Sequence, residues 1–123
     1  MKREWLEQGA ELEAKLGRGR VERDVVLAPY TTFRIGGPAD LFVRARTADE
    51  LIAALGAARE LGVPHFLLGA GANILVADRG FRGVVIRCEV GGIEMLDGPR
   101  VRAGAGVLTF HDLIEETVSH GLG

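Results

Sequence analysis

Apolar residues recur at two different spacings along the chain, and the spacing predicts each element. A helical spacing places Trp5, Leu6, Leu12 and Leu16 on one face of residues 2–16, and Gly17 is expected to end that helix. A second helix is expected to begin at Thr47-Ala48-Asp49-Glu50, which forms a capping box. Its apolar stripe is Leu51, Ile52, Leu55, Ala58 and Leu61, and it ends at Gly62 before Pro64.

A third helix is predicted to open at Thr109-Phe110-His111-Asp112 and to end at Gly121. Its buried face would carry Leu113, Ile114 and Val118. Short apolar or alternating runs predict strands at residues 25–27, 39–46, 65–68, 74–77, 84–88, 93–96 and 100–103.

The order of these elements predicts the fold class. Residues 39–68 read strand-helix-strand, which favours a parallel pair with a right-handed crossover. Residues 30–38 form an ordered loop or an edge segment, and Asp97-Gly98-Pro99 forms a hairpin-like turn. The chain is therefore expected to be α+β, a mixed sheet with flanking helices. Residues 1–20 form an N-terminal helix and link, and residues 21–123 form the domain that follows.

Composition narrows the class of protein. The chain has 123 residues, enough for one compact domain, and a net charge of −2 with both signs interspersed. The absence of a basic stripe argues against nucleic acid as a partner, and no run of about 18 apolar residues predicts a membrane span. There is no secretory signal, and the single cysteine, Cys88, is expected in the core, so a cytoplasmic location is expected.

The segment Leu67-Leu68-Gly69-Ala70-Gly71-Ala72-Asn73-Ile74-Leu75 is the strongest candidate for a site. Small residues let a ligand approach the main chain, and successive free N–H groups can form a nest for a phosphate. Ile74 stands where a dinucleotide fingerprint requires its third glycine, and the Gly-Lys-Ser/Thr of a phosphate loop is absent. The prediction is a strand-loop-strand cradle for the diphosphate of a nucleotide cofactor. A tight connection between two buried strands is the alternative, and the residues alone do not decide between them.

Other chemistry has little support in the sequence. Ser119, His65, His111 and His120 are scattered, and no His or Cys spacing predicts a metal site. Arg34 could hold a phosphate with two hydrogen bonds, although a surface position is the simpler interpretation. Tyr30 is expected to pack, with its hydroxyl at the surface.

Four segments occur in the order and spacing of a known family. They are Thr31-Thr32-Phe33-Arg34-Ile35-Gly36-Gly37-Pro38-Ala39, residues 68–75, Asp78-Arg79-Gly80-Phe81-Arg82-Gly83-Val84-Val85-Ile86, and Val101-Arg102-Ala103-Gly104-Ala105-Gly106. Together they resemble the N-terminal part of the UDP-N-acetylenolpyruvoylglucosamine reductases, over nearly all of residues 21–123. The resemblance implies the N-terminal portion of a vanillyl-alcohol-oxidase/PCMH-type FAD-binding domain.

The resemblance also implies a cofactor and a reaction. Its glycine loop wraps the FAD diphosphate with main-chain N–H groups, a role that falls on Gly69, Ala70, Gly71, Ala72 and Asn73, with Ile74 and Leu75 packed beside the cofactor. Ala72 replaces the usual Ser and removes one hydroxyl donor. In that family NADPH reduces FAD, which then reduces UDP-N-acetylglucosamine enolpyruvate to UDP-N-acetylmuramate, a peptidoglycan precursor made in the bacterial cytoplasm.

The family's substrate domain and its catalytic Ser, Arg and Glu have no counterpart before Gly123. No catalytic residue is therefore assigned, and the UDP-sugar is expected to bind through a C-terminal part outside this chain, which alone is expected to be inactive. Two other functions fit the same residues: a non-catalytic nucleotide-binding module, or another oxidoreductase of the same FAD superfamily.

Overall fold

Helices cover one face of an open sheet, and irregular segments cover the other. The computed structural model describes residues 3–122. In chain order the elements are α1 (Arg3–Leu16), β1 (Val21–Val26), a 3-10 turn (Ala28–Tyr30), β2 (Pro38–Ala45), α2 (Ala48–Glu60), β3 (His65–Leu68), β4 (Phe81–Cys88), β5 (Ile93–Met95), β6 (Val101–Ala103), a π-helical turn (Thr109–Leu113) and α3 (Ile114–Ser119).

The main sheet is mixed, as predicted, but the parallel pair is not the expected one. The strand order is β1-β2-β4-β3, with β1 antiparallel to β2 and the other three strands parallel. β2 and β3 are parallel, as the strand-helix-strand pattern indicated, yet β4 lies between them. Val84, Val85 and Ile86 of β4 are all buried, and a strand that is apolar on both faces belongs at the centre of a sheet.

The helix-covered face holds the larger core. Trp5 and Leu12 of α1 pack with Leu41 and Val43 of β2. The sheet and α2 complete that core with Val21, Ala45, Ala54, Ala57, Ala58, Val63, Val84 and Ile86. The predicted apolar stripes are partly wrong, because Leu6 is 49% exposed and Ile52 is 69% exposed. α2 approaches the sheet through alanines, and Ile52 faces away from that narrow contact. The predicted boundary at residue 20, between the N-terminal helix with its link and the domain that follows, stays a prediction. Helix α1 packs in the same core as the strands of that domain.

The ends of α2 agree with the predicted capping signals except in one contact. The Thr47 hydroxyl accepts a hydrogen bond from the Glu50 N–H at 3.1 Å. The Glu50 carboxylate accepts from the N–H of Arg46 at 2.7 Å, one residue beyond its expected capping-box partner. Gly62, with φ of 67°, ends the helix while the Val63 N–H donates to the Ala58 carbonyl.

The strand predicted at residues 74–77 is wrong. Residues 69–80 are one irregular connection between β3 and β4. The predicted strand-loop-strand cradle is therefore a longer loop, with β3 before it and β4 after it. β1 also differs from its prediction, because it begins at Val21 and ends at Val26, and Leu27 is buried beyond it.

The C-terminal region packs loosely. β5 and β6 form the predicted hairpin, closed by the Leu96 N–H and the Arg100 carbonyl at 2.9 Å. The predicted buried face of the last helix is wrong, since Ile114 is 41% exposed and Val118 is 54% exposed. The predicted helix end at Gly121 is confirmed, with φ of 76° there. The side chains of Thr109 and Phe110, which carried the predicted helix start, lie outside the described residues.

Candidate cofactor-binding site

The glycine loop, residues 69–75, leaves the sheet at the edge where the three parallel strands β2, β3 and β4 end. Gly69 follows Leu68, the last residue of β3, and Leu68 is in register with Arg87 near the end of β4. The carboxyl edge of parallel strands is where open α/β sheets bind their ligands. Of the predicted site residues, Gly71 is buried, Gly69 and Ile74 are half-buried, and Ala70, Ala72, Asn73 and Leu75 are exposed.

The two glycines of the loop have different surroundings. A Cβ atom on Gly69 would meet no atom within 4 Å. A Cβ atom on Gly71 would overlap the main-chain carbonyl of Tyr30, and Gly71 has φ of 73°. Glycine is therefore required at position 71, because a side chain there would collide with the main chain of Tyr30. The space beside Gly69, in contrast, is open to a ligand.

The loop carries a run of unused donors. Within residues 3–122, the main-chain N–H groups of Ala70, Gly71, Ala72 and Asn73 donate to no protein acceptor. Three of these residues are small, and Ala70, Ala72 and Asn73 are exposed. Neighbouring N–H groups without protein partners are the donor set that an anion-binding nest requires.

A second predicted segment fixes the position of this loop. The Thr32 N–H donates to the Gly71 carbonyl at 3.1 Å, and the Gly37 N–H donates to the Ala77 carbonyl at 2.9 Å. A Cβ atom on Gly37 would overlap the Asp78 carbonyl, and one on Gly80 would overlap the Pro38 carbonyl. Three of the four segments that carried the family resemblance, residues 31–39, 68–75 and 78–86, are thus packed together, main chain to main chain.

Thr31 holds the turn of that second segment. Its side chain is 3% exposed, and its hydroxyl lies 3.2 Å from the carbonyl oxygens of Ala28 and Ile35. The Ile35 N–H donates to the same hydroxyl at 3.3 Å. A buried hydroxyl with partners on both sides of a turn fixes the path of the main chain.

An apolar cavity of about 240 Å³ lies under the loop. Its lining includes Leu27, Phe66, Leu68, Ile74, Leu75 and Val85. Leu75 is 73% exposed. An apolar cavity next to a set of polar donors is the arrangement typical of sites for cofactors with aromatic rings.

Two arginines lie at the carboxyl edge on the same face as the loop. Arg44 of β2 and Arg87 of β4 are in register, and both guanidinium groups lie over the ring of Tyr30, at 5.4 Å and 5.0 Å. Arg44 also donates to Glu89 at 2.9 Å and to the Tyr30 hydroxyl at 2.6 Å. Hydrogen bonding to Glu89 and then to Tyr30 raises the pKa of Arg44 above its ordinary value. The Tyr30 hydroxyl, expected at the surface, accepts this hydrogen bond from Arg44.

The sequence of this domain matches a described family over most of its length. Residues 39–123 match the family described as FAD binding domain. The chain belongs to the FAD-binding domain family. The family resemblance found in the sequence is confirmed, and FAD is the cofactor of the family to which the chain belongs.

Two curated relatives of this FAD-binding domain carry the same name. It is 54% identical over 101 residues to UDP-N-acetylenolpyruvoylglucosamine reductase from Anaeromyxobacter sp. strain Fw109-5, covering 81% of the chain and 31% of the relative. It is 44% identical to the enzyme of the same name from Geobacter sulfurreducens, covering 80% of the chain and 33% of the relative. The chain spans about a third of the length of the curated relatives it matches.

Solved structures agree with the predicted fold. UDP-N-acetylenolpyruvylglucosamine reductase from Thermus caldophilus aligns with a TM-score of 0.58 and 34% identity, over 83% of this chain and 34% of that one. P-cresol methylhydroxylase aligns with a TM-score of 0.64 over 99% of this chain and 26% of that one. Its identity is 19%, so this second likeness shows the fold alone. The predicted fold class of this FAD-binding domain is thereby confirmed.

The remaining candidate residues of the FAD-binding domain form no second site. Arg34 is exposed, and its guanidinium group donates to the Pro29 carbonyl at 3.5 Å. The Ser119 hydroxyl donates to the Glu116 carbonyl at 2.7 Å, as a helix-surface serine does. Among residues 3–122 no group of three His, Cys, Asp or Glu side chains could hold a metal ion, and no helix is long and apolar enough to cross a membrane.

Sequence reasoning missed one charged residue at this edge of the FAD-binding domain. Arg87 interrupts the apolar run of β4 at a position on the loop-covered face, between buried Ile86 and buried Cys88. The strand period would have placed Arg87 on the same face as Val85, and the pairing of Arg87 with Leu68 brings it next to the glycine loop.

Proposed function

We propose that this chain is the part of a UDP-N-acetylenolpyruvoylglucosamine reductase that holds the diphosphate of FAD. The observation that carries the proposal is the combination found at one sheet edge: open space beside Gly69 and unused N–H donors from Ala70 to Asn73. A bare main chain with free donors fits a diphosphate, which offers several acceptor oxygens and two negative charges.

Each predicted site residue has a role in this proposal. Gly69 leaves room for the phosphates, and the N–H groups of Ala70, Gly71, Ala72 and Asn73 donate to them. Ile74 and Leu75 belong to the wall of the apolar cavity, where they exclude water from a bound ring. Thr31, Gly37 and Gly80 hold the loop in this shape from behind, so that few of its torsions need ordering when the cofactor binds.

The proposed reaction takes place in the cytoplasm and uses NADPH as reductant and UDP-N-acetylglucosamine enolpyruvate as substrate. Bound FAD supplies two-electron hydride chemistry, for which the protein provides binding and orientation. The residues of this chain bind the cofactor, fix the loop and exclude water. Contacts with the UDP-sugar are assigned to the rest of the longer enzyme, in agreement with the share of the relatives that this chain covers.

A matched pair of glycine variants tests the site. Gly69→Val places a side chain where the structure has no protein atom within 4 Å and a ligand would lie. Gly91→Val makes the same change at an exposed glycine between β4 and β5 where a Cβ atom meets no atom within 4 Å. We expect Gly69→Val to abolish FAD retention through gel filtration, followed by flavin absorbance, and Gly91→Val to retain it.

Both variants are expected to melt within a few degrees of the unchanged protein, since a Cβ atom at either position meets no protein atom within 4 Å. Equal FAD affinity in Gly69→Val and Gly91→Val would show that the loop is only a connection between strands. The reaction itself is tested on the full-length gene product, by NADPH oxidation that requires the enolpyruvyl UDP-sugar. Oxidation that needs a different acceptor would assign the chain to another oxidoreductase of the FAD superfamily.

A further inference from the structure

Arg87 lies beside the glycine loop and has no anionic partner among residues 3–122. Its Nε atom is buried and donates to no acceptor among residues 3–122. The guanidinium group of Arg87 lies over the ring of Tyr30, with the ring centroid 5.0 Å from the guanidinium carbon. A cation over an aromatic ring recovers part of the cost of leaving water, but it leaves the buried Nε–H donor of Arg87 unused.

The carboxylates near Arg87 are bound by another arginine. Glu89 accepts from Arg44 at 2.9 Å, and Glu22 lies 3.3 Å from the Nε atom of Arg44. Arg44 also donates to the Tyr30 hydroxyl. Arg44 is therefore neutralised by two carboxylates, whereas its register partner Arg87 forms no ion pair within the described residues.

Arg87 lies on the face of the sheet that carries the glycine loop, opposite the face that the helices cover. Leu68 is its register partner on β3, and Gly69 is the next residue. Tyr30, which lies under the guanidinium group, touches Gly71 through its main-chain carbonyl. Side chains in register on parallel strands project to the same face, so Arg87 lies on the side of the sheet that carries the loop.

We infer that Arg87 contributes a cationic contact to the diphosphate held by the glycine loop, with Tyr30 as the surface that orients its guanidinium group. The inference rests on the proposed function, because it adds a side chain to the same site. A planar guanidinium presents several N–H donors to phosphate oxygens and also carries a positive charge. Main-chain N–H groups donate hydrogen bonds to the phosphates but do not neutralise their negative charge.

The test compares FAD, ADP and riboflavin as ligands of the purified full-length gene product by isothermal titration. Arg87→Met keeps a long apolar stem and removes the charge and the donors. We expect it to weaken FAD and ADP binding by about 10- to 100-fold, as for a lost charge-assisted hydrogen bond. Riboflavin lacks the diphosphate, so its affinity is expected to be unchanged. Arg87→Lys is expected to recover part of the loss.

Arg59→Met is the matched control, because Arg59 is exposed in the last turn of α2 on the other side of the sheet. It makes the same change in net charge and is expected to leave all three affinities unchanged. Equal FAD affinity in Arg87→Met and the unchanged chain would overturn the inference and leave the proposed function standing. An equal loss for riboflavin would assign Arg87 to folding alone. Absence of FAD binding by the unchanged full-length protein would contradict the proposed function and the inference together.

Discussion

The two faces of the main sheet are built differently. The helix-covered face buries side chains of α1, α2 and the strands in one core. The loop-covered face has a smaller core of Leu27, Ala39, Phe42, Leu68 and Val85. Tyr30, Ile74 and Val76 pack onto that core from the segments 27–38 and 69–80, and main-chain hydrogen bonds join the two segments to each other. Helix side chains complete the first face, whereas close approach of glycines fixes the segments that cover the second.

This difference separates stability from binding. Helices offer many side chains to a core but few free N–H groups, because their own hydrogen bonds use them. Irregular loops leave N–H groups unused and keep apolar surface accessible, which is what a ligand requires. The face that contributes less apolar burial is accordingly the face that carries the candidate site.

The largest expected effect comes from two neighbouring residues on opposite faces. Leu41 and Phe42 are both fully buried, Leu41 under the helices and Phe42 under Tyr30, with rings 5.1 Å apart. Leu41→Ala is expected to lower the free energy of unfolding by about 2–5 kcal/mol and Phe42→Ala by about 3–5 kcal/mol.

Only Phe42→Ala is expected also to weaken FAD binding by the folded protein, since Tyr30 then loses its support. Urea unfolding and FAD titration measure the two quantities on the same samples. If Leu41→Ala weakened FAD binding as much, the two faces would not be separable in function.

The second comparison contrasts the glycines of the loop. Gly71→Ala forces a side chain into φ of 73° and against the Tyr30 carbonyl, which is expected to cost about 2 kcal/mol or more. Gly69→Ala is expected to change the free energy of unfolding by less than about 0.5 kcal/mol. Thermal unfolding of both variants checks this, and a similar loss in both would mean that Gly69 is also packed against the chain.

A smaller effect is expected at the start of α2, on the helix-covered side. Thr47→Ala removes the hydroxyl that accepts from the Glu50 N–H and is expected to cost about 1 kcal/mol. FAD affinity should not change. A change in FAD affinity would show that the helix position affects the loop across the sheet.

The smallest effect concerns acid stability at the same helix end. Hydrogen bonds from Arg20 and from the Arg46 N–H lower the pKa of Glu50 from 4.5 to about 2. Because the folded pKa lies below the unfolded one, this carboxylate stabilises the fold above about pH 4.5 and loses that contribution as the pH falls towards 2. Melting temperatures measured across that range should fall more steeply for the unchanged protein than for Glu50→Gln. Parallel curves would contradict the assignment.

Local signals in the sequence predicted those parts of the fold that local physics decides. The cap at Thr47 and the helix ends at Gly62 and Gly121 depend on neighbouring residues, and all three predictions are confirmed. The strand predicted at residues 74–77 failed because its apolar residues, Ile74 and Val76, pack onto the smaller core from a loop. The insertion of β4 between β2 and β3 is a long-range pairing that no local pattern contains.

The candidate site was predicted as a stretch of sequence but not as an arrangement in space. The run from Gly69 to Leu75 was found from its small residues, yet sequence alone did not distinguish the open Gly69 from the packed Gly71. That distinction depends on Tyr30, which is far away in the chain. The assignment of these residues to FAD stays a prediction until the ligand titrations are made.

The strand order has a consequence for how the site forms in time. β3 pairs only with β4 among the described strands, and residues 27–38 meet residues 71–80 across a long stretch of chain. Contacts between distant segments form slowly, because a large loop must close first. The glycine loop is thus expected to settle late in folding, so that a bound cofactor would slow unfolding more than it would speed folding.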